Sequence, residues 1–174
     1  RVQYWDLAQR KIINTFDIAA DEDNVPLLGN EAEGCVFDDE HKYIHVSREG
    51  TRGFLKTYNA EDQQLVKVID SRDGNIGGDP EGVTIYKVDT TTGFIILSSQ
   101  GDSKFNIYDR EYPFTYIDSF RVNNVSDTDG IDATSISLGN YAPNGILVVQ
   151  DGYNKPDNQN FKIVSMEEVL KKKD

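Results

Sequence analysis

Residues 32–50 read AEGCVFDDEHKYIHVSREG, and two later stretches repeat their pattern. The second, PEGVTIYKVDTTTGFIILSSQG, begins at residue 80, and the third, TDGIDATSISLGNYAPNGILVVQDG, begins at residue 128. Each stretch opens with an acidic residue before glycine and closes with a carboxylate or amide residue before glycine. The opening residues, spaced by 48 positions, are Glu33, Glu81 and Asp129, and the closing residues, spaced by 51 positions, are Glu49, Gln100 and Asp151. A period of about 40 to 50 residues built of short strands is typical of propeller blades.

Each repeat contains short segments rich in β-branched and aromatic residues and bounded by Gly, Asp or Asn, which predict the antiparallel strands of one blade. The predicted strands span residues 34–38, 43–47, 53–58 and 65–70 in the first repeat, 83–87, 94–98, 104–108 and 114–120 in the second, and 131–137, 145–150 and 160–164 in the third. Residues 2–7 and 11–18 predict the outer strands of a preceding blade. We therefore predict an all-β fold, a β-propeller of four-stranded antiparallel blades, of which this chain covers about three to three and a half.

The domain organisation follows from this strand pattern. We expect one partial propeller over residues 1–174, with outer strands of one blade in 1–31, whole blades in 32–78 and 79–126, a last blade without its outer strand in 127–165, and a short helical or frayed tail in 166–174. Propellers close with about 4 to 8 blades, and the chain starts without Met. We therefore expect the remaining N-terminal blades of the same polypeptide as its partner, needed for the segment to fold and supplying a strand that completes the last blade.

Composition narrows the range of partners. The chain has 37% hydrophobic residues, 28% charged residues and a net charge of −12, which suits a folded domain but repels phosphate unless cations intervene. We therefore expect no nucleic-acid partner. No apolar run approaches the ~20 residues that cross a bilayer, so we expect no membrane partner. The single cysteine, Cys35, permits no internal disulfide, and we interpret it as a small core residue and not as a nucleophile.

Blade geometry brings the repeated polar residues together. The first strand of a blade leads away from one edge of the ring and the second returns to it, so the start of the first and the end of the second share that edge. The six opening and closing residues should therefore converge, and Asp79 and Asp127 add carboxylates to the connecting loops. Oxygen ligands without Cys or His suit a hard cation such as calcium, which accepts about 6 to 8 oxygens.

Structural roles compete with this interpretation. A single acid before glycine can equally well cap a turn through a hydrogen bond to a backbone N–H, but six at matching positions favour a site. The acids of residues 38–40, at the opposite edge, are interpreted as solvated turn residues. His41 and His45 are interpreted as surface or strand-packing residues, the strand aromatics as packing between sheets, and the lysines of 171–173 as a solubilising terminus.

Several strings in the repeats resemble one family of enzymes. AEGCVFDDE, DPEGVTIY, SSQGDSKFNIYDR, SDTDGID, and VVQDG followed by NQNFKIV are similar to the C-terminal half of the β-propeller phytases, which are calcium-dependent and release phosphate from myo-inositol hexakisphosphate (phytate). The resemblance extends over most of residues 2–164. It implies a six-bladed ring, several calcium ions, phytate or other inositol polyphosphates bound as calcium complexes, and a secreted, extracellular or periplasmic location.

The resemblance also implies roles for individual residues. Catalytic roles fall to Glu33, Asp79, Glu81 and Asp129, and the implied calcium ligands are Glu33, Glu49, Asp79, Glu81, Gln100 and Asp129, with Asp151 at a neighbouring calcium site. Arg48 stands where the family often has a second acid, and there it could contact a substrate phosphate or weaken one calcium. The family's phosphate-binding Lys and Arg residues come largely from the N-terminal blades, and we expect no replacement for them in this chain.

The implied reaction is direct attack by a metal-bound water, because calcium can neutralise both the rim and the substrate and lower the pKa of a bridging water. This reaction needs no His or Cys nucleophile, and the sequence offers no convincing one. Two alternatives stay open. One is a non-catalytic, calcium-stabilised propeller that binds an anionic ligand. The other is a general protein-interaction propeller, which would not need repeated acids at one rim.

Overall fold

A computed structural model describes residues 1–18 and 31–171, in which strands form four antiparallel sheets. The first sheet holds β1 (Val2–Asp6) and β2 (Lys11–Phe16). Each of the other three sheets is built from strands that are consecutive in the chain. Parts of the predicted segments 1–31 and 166–174 lie outside the described residues, and the predicted domain boundaries stay predictions.

The three larger sheets correspond to the three sequence repeats, and we call them blades 1, 2 and 3. Blade 1 contains β3 (Ala32–Asp38), β4 (Tyr43–Arg48), β5 (Phe54–Asn59) and β6 (Leu65–Ser71); blade 2 contains β7 (Asp79–Lys87), β8 (Gly93–Gln100), β9 (Lys104–Asp109) and β10 (Tyr116–Phe120); blade 3 contains β11 (Ile131–Thr134), β12 (Ile146–Asp151) and β13 (Asn160–Ser165). A 3-10 helix, Gly139–Tyr141, lies between β11 and β12, and the helix α1 (Met166–Lys171) follows β13. The predicted all-β fold of four-stranded antiparallel blades is confirmed.

The strands β10 and β11 are shorter than the sequence pattern predicted. β10 begins at Tyr116 because Phe114 has a positive φ of 57° and donates its N–H to the carbonyl of Glu111, which closes a turn. β11 ends at Thr134 because the chain then turns, and Leu138 donates its N–H to the carbonyl of Ala142. In both cases local turn geometry overrides the β-propensity of the flanking residues.

The blades pack face to face, and the central strands are covered on both sides. Successive side chains of a strand point to opposite faces. Ile95 and Leu97 of β8 pack with Leu55 of blade 1, whereas Ile96 packs with Leu147 of blade 3. A strand buried on both faces reads as a continuous apolar run, which explains the sequence FIIL at the start of β8.

The predicted core position of Cys35 is wrong, because its side chain is exposed. Gly34 faces blade 2, so alternation along β3 directs Cys35 to the opposite face, together with Phe37. The two-stranded sheet of β1 and β2 lies on that side, where Tyr4 stacks on Phe37 with ring centroids 6.4 Å apart. It covers this face in part, which leaves the thiol accessible.

Each blade has two edges that matter for function. We call the edge where β3, β7 and β11 begin the upper rim, and the opposite edge, with the turns that end these strands, the lower rim. On the lower rim, the interpretation of Asp38 as a solvated residue is wrong. Asp38 is fully buried, and its Oδ2 and Oδ1 accept hydrogen bonds of 2.7 and 2.6 Å from Nε and Nη2 of Arg110, which lies in blade 2.

The histidines have structural positions, as the sequence indicated. His45 is buried between strands, and its Nδ1 lies 2.8 Å from the hydroxyl of Thr57. His41 lies at the lower rim with its Nδ1 3.1 Å from a carboxylate oxygen of Asp38. Neither residue lies at the upper rim. Among the described residues, no helix is long and apolar enough to span a membrane.

Candidate metal centre at the upper rim

The structure places the repeated polar residues at one edge of the blades. β7 begins at Asp79, which pairs directly with Gln100 at the end of β8. Glu33 is the second residue of β3, and Glu49 follows the last residue of β4. Asp129 lies just before β11. The predicted convergence at the upper rim therefore holds for positions along the backbone.

The glycines after the first two opening acids have a packing role. A Cβ on Gly34 would lie 2.5 Å from the carbonyl oxygen of Glu81, and a Cβ on Gly82 would lie 2.8 Å from the carbonyl oxygen of Asp129. Such distances are too short for any side chain, so only glycine lets the next blade approach this closely. At these two junctions the acid and glycine occur together because the glycine receives the acid-bearing backbone of the following blade.

Two buried serines reinforce these junctions, and sequence reasoning missed them. Ser47 accepts a hydrogen bond of 2.6 Å from the N–H of Gly34, and its hydroxyl donates to the carbonyl of Glu81. Ser98 donates to the carbonyl of Thr128 at 2.9 Å. The two serines are 51 positions apart, like the closing residues, so the same repeat could have revealed them.

The electrostatics of the upper rim are those of crowded carboxylates. Burial, followed by the charges of Glu33, Asp129 and Glu49, raises the pKa of Glu81 to about 7. Partial desolvation and then the charges of Glu49, Glu31 and Asp129 raise the pKa of Glu33. Burial and the charge of Asp127 raise the pKa of Asp129. In the described part of the chain, no lysine or arginine forms an ion pair with Glu33, Glu49, Glu81 or Asp129.

One group of carboxylates has the spacing of a cation site. Glu31, Glu33 and Glu49 each offer an oxygen, and these oxygens lie within 4.8 Å of one another. The N–H of Glu49 donates to the carbonyl of Glu31 at 2.9 Å, which holds the two backbones side by side. Glu31 was missed in the sequence because it precedes the repeat. An all-oxygen donor set that includes Glu33, whose pKa is raised, fits a hard divalent cation such as calcium.

Two glutamines order Asp129. Nε2 of Gln100 donates to Oδ1 of Asp129 at 3.2 Å, and the N–H of Asp129 donates to Oε1 of Gln150 at 2.8 Å. Gln150 is nearly buried and donates in turn to Gln159 at 3.3 Å. Gln100 therefore contacts the candidate centre through Asp129, while Gln150 fixes the backbone from which Asp129 projects.

Other predicted residues have partners of their own. Asp79 forms an ion pair with Nη2 of Arg72. Asp151 is 2% exposed, accepts a hydrogen bond from the N–H of Ser126 at 3.2 Å, and lies 3.3 Å from Nζ of Lys162. These two acids are therefore set apart from the four carboxylates that lack a cation within the described residues.

Arg48 is directed into the blade. It is 2% exposed, and its guanidinium lies 5.2 Å from the ring centroid of Phe54, within the range of a cation–π interaction. Its neighbour Glu49 is the residue that reaches the carboxylate group described above. A contact between Arg48 and a substrate phosphate stays a prediction.

Two comparisons with known proteins give the same family. The family model described as Phytase matches residues 23–174. The 3-phytase of Bacillus subtilis (strain 168) is 36% identical over 155 residues, covering 82% of this chain and 40% of the relative's own length. The chain therefore spans less than half the length of the curated relative that it matches.

Proposed function

Because this chain belongs to the phytase family, we propose that the full-length protein hydrolyses phytate, myo-inositol hexakisphosphate, with calcium held at the upper rim. The observation that carries this proposal is the crowding of Glu33, Glu49 and Glu81 at the upper rim. The charge of Glu49 helps to raise the pKa values of Glu33 and Glu81, and no basic residue of the described chain pairs with these acids. Repulsion between these acids lowers the stability of the fold, and a cation bound by them would explain why they are grouped.

The proposed ligands divide into three groups. Glu33, Glu81 and Asp129 are the central ligands, because they project from successive inner strands. Glu49 and Gln100 flank them, with Glu31 added next to Glu49. Asp79 is a ligand or a group that orients water, and Asp151 belongs to a neighbouring calcium site. These assignments follow the family resemblance for the predicted residues and the rim geometry for Glu31.

The reaction follows from charge. Bound calcium would neutralise the phosphates, polarise the P–O bond and make a water more acidic. The chain's own residues would hold the cations and orient the attacking water, and the cations would reduce the repulsion between carboxylates and phosphates. Without calcium the pKa of Glu81 is about 7, and a bound cation would favour its ionised form, which is the form that holds the cation. We propose that water attacks phosphorus directly, so that the P–O bond to the inositol breaks, the inositol oxygen takes up a proton from the water, and phosphate is released without a phosphoenzyme.

The proposed substrate class is phytate or other inositol polyphosphates presented as calcium complexes. The remaining blades of the ring are proposed to come from the N-terminal part of the same polypeptide, consistent with the share of the Bacillus relative that the chain covers. A secreted, extracellular or periplasmic location, where calcium is abundant, is proposed from the family alone.

A second candidate is a non-catalytic, calcium-stabilised propeller that binds an anionic ligand. It is favoured by the position of the acids directly at blade contacts, where the N–H of Gly82 donates to the carbonyl of Asp129 at 3.2 Å. In that case the cations would be cross-links between blades, and their removal would lower stability with no catalytic effect.

The deciding experiment measures phosphate release from phytate by the full-length protein, with calcium and then with a chelator. Calcium-dependent release supports the enzyme. A folded, calcium-loaded protein that releases no phosphate would favour the anion-binding propeller.

A further inference from the structure

One basic side chain reaches into the acidic upper rim at the junction of blades 1 and 2. Arg72 is the first residue after β6, at the start of the loop that leads to β7, and one-third of its side chain is exposed. Its Nη2 forms an ion pair with Oδ1 of Asp79, the residue with which β7 begins. Arg72 thus places a cation on Asp79, two positions before Glu81, whose pKa is the most strongly raised among the acids of the rim.

The neighbouring loop is shaped to admit this side chain. The N–H of Arg72 donates to the carbonyl of Arg52 at 2.8 Å, which aligns the two loops. Gly53 follows with a φ of 45°, and a Cβ there would lie 3.0 Å from Nε and 3.2 Å from Cγ of Arg72. Because Gly53 has no side chain, there is room for Arg72 to extend past it towards Asp79.

Blade 2 carries the same arginine in a different arrangement. Arg121 is the first residue after β10, and Asp127 lies 48 positions after Asp79. Arg121, however, donates from Nε and Nη2 to the carbonyl of Asp102, at 3.3 and 3.0 Å. Asp127 instead raises the pKa of Asp129 through its charge. Equivalent residues therefore give an ion pair at one junction and an uncompensated acid at the other.

We propose that Arg72 binds a phosphate group of the substrate, an inference that rests on the proposed function and adds a specificity-determining residue to it. A guanidinium has five N–H donors in a planar fork, which matches the oxygens of a phosphate. Asp79 occupies part of that fork and fixes its orientation. The exposed part is left to donate charge-assisted hydrogen bonds to a phosphate at the rim.

The charge distribution supports the same position. Because Asp79 is paired with Arg72, it adds no net charge to the junction of blades 1 and 2, whereas the charge of Asp127 at the next junction raises the pKa of Asp129. A polyphosphate held by cations on Glu33 and Glu81 would meet a fixed guanidinium on its side facing blade 1. The sequence suggested only Arg48 for a contact with a substrate phosphate, and the proposed role of Arg72 adds a second basic residue.

A merely structural role for Arg72 predicts different behaviour. If the ion pair only ties two loops together, Arg72→Gln should weaken calcium binding and anion binding together and lower the melting temperature. If Arg72 binds phosphate, Arg72→Gln should weaken anion binding alone, because the released Asp79 adds a carboxylate to the rim and leaves calcium affinity unchanged or higher. Opposite effects on the two ligands therefore separate the two roles.

The test uses the full-length protein with Arg72→Gln, Arg72→Lys and the matched control Arg121→Gln. Titration calorimetry measures calcium affinity, and then, at saturating calcium, affinity for myo-inositol hexasulfate, whose sulfate esters are anionic but are not phosphate esters. We expect Arg72→Gln to lower the hexasulfate affinity by about 10- to 100-fold, Arg72→Lys to lower it less, and Arg121→Gln to change neither affinity. In phytate hydrolysis, the lower anion affinity of the Arg72→Gln protein should appear as a higher KM.

Two results would overturn the inference: an unchanged hexasulfate affinity in Arg72→Gln, or equal losses of calcium and hexasulfate affinity. Because the calorimetry needs no turnover, its outcome is distinct from that of the proposed function. A protein that binds hexasulfate through Arg72 but releases no phosphate from phytate would support the anion contact and contradict the enzyme.

Discussion

At the two rims of the same blades, the pKa values of buried carboxylates are shifted in opposite directions. On the lower rim, burial would raise the pKa of Asp38, but hydrogen bonds from Arg110 and His41 hold it well below its usual range. On the upper rim, burial and neighbouring acids raise the pKa of Glu81 to about 7. The difference lies in the partners and not in the residue type, since each acid sits at an end of an inner strand.

This difference assigns distinct tasks to the two ends. The lower rim is internally compensated: Arg110 is fully buried, pairs with Asp38 and also donates to Glu40 at 2.5 Å, while Lys87 reaches the same Glu40 at 2.7 Å. It ties blade 1 to blade 2 without any ligand. The upper rim lacks this compensation in its described residues, and a bound cation would provide it.

The largest effect on stability is expected at the lower rim. Arg110→Met leaves the buried carboxylate of Asp38 without its partner, which should lower the free energy of unfolding by about 3 to 5 kcal/mol. Urea denaturation of the full-length protein, with calcium present, measures this loss. The exposed pair of Arg52 and Asp73, 3.1 Å apart, provides the control. Asp73→Asn should cost at most about 1 kcal/mol, and equal losses for both variants would contradict the contrast between buried and exposed pairs.

At the upper rim, Glu81→Gln should affect function and not folding. Loss of a central ligand should reduce calcium-dependent phosphate release by about a hundredfold or more. The melting temperature in chelator should stay the same or rise, because the substitution removes repulsion from Glu33 and Asp129. Activity assays and thermal melts in parallel check both statements. A large drop in melting temperature together with full activity would show that Glu81 is a structural cross-link.

The pH dependence of stability should differ between the rims. The pKa of Glu81 rises from 4.5 to about 7 on folding, so its contribution to stability is present below pH 4.5 and is lost as pH rises through 7 in calcium-free protein. The change is about 2 to 3 kcal/mol at most. The lowered pKa of Asp38 has the opposite effect. Its contribution to stability is present above the pKa that Asp38 has in the unfolded chain, and it is lost as pH falls.

The measurement is a difference between wild type and Glu81→Gln in chelator across pH 4.5 to 7. The comparison with Glu81→Gln is needed because burial also lowers the pKa of His45, to about 4. The contribution of neutral His45 to stability is lost as pH falls below 6.5, which opposes the gain in stability from Glu81. Saturating calcium should abolish the pH dependence of this difference, since the cation favours the ionised carboxylate of Glu81. A wild-type curve parallel to that of Glu81→Gln would refute the raised pKa.

The smallest effect is expected from the junction serines. Ser47→Ala removes the hydroxyl that joins the N–H of Gly34 to the carbonyl of Glu81, and should lower the free energy of unfolding by about 1 to 2 kcal/mol. Calcium affinity should fall a few-fold, because the hydroxyl sets the distance between the inner strands that carry Glu33 and Glu81. Ser98→Ala, at the next junction, should affect stability similarly. Chemical denaturation and calorimetry compare the two, and a Ser47→Ala protein with wild-type calcium affinity would exclude a positioning role.

Particular residues show how far sequence reasoning reached. Glu33, Glu81 and Asp129 were placed at one rim because their spacing of 48 residues marks equivalent positions in successive blades. Ser47 and Ser98 were missed although they share the repeat, because a serine in a strand carries no distinctive signal without its partner. Asp38 was misread because its partner Arg110 is 72 positions away in the chain.

By itself, the sequence determined the strands, their grouping into blades and the edge on which each repeated acid lies. These features depend on local alternation, turn residues and period, all of which act over short distances along the chain. The tertiary structure decided which acids receive a cation from the protein: Asp38 from Arg110 and Asp79 from Arg72, but none for Glu33 and Glu81 within the described residues. An ion pair depends on where two distant side chains meet in space, and for long, flexible side chains such as arginine that position is set by packing and not by sequence spacing.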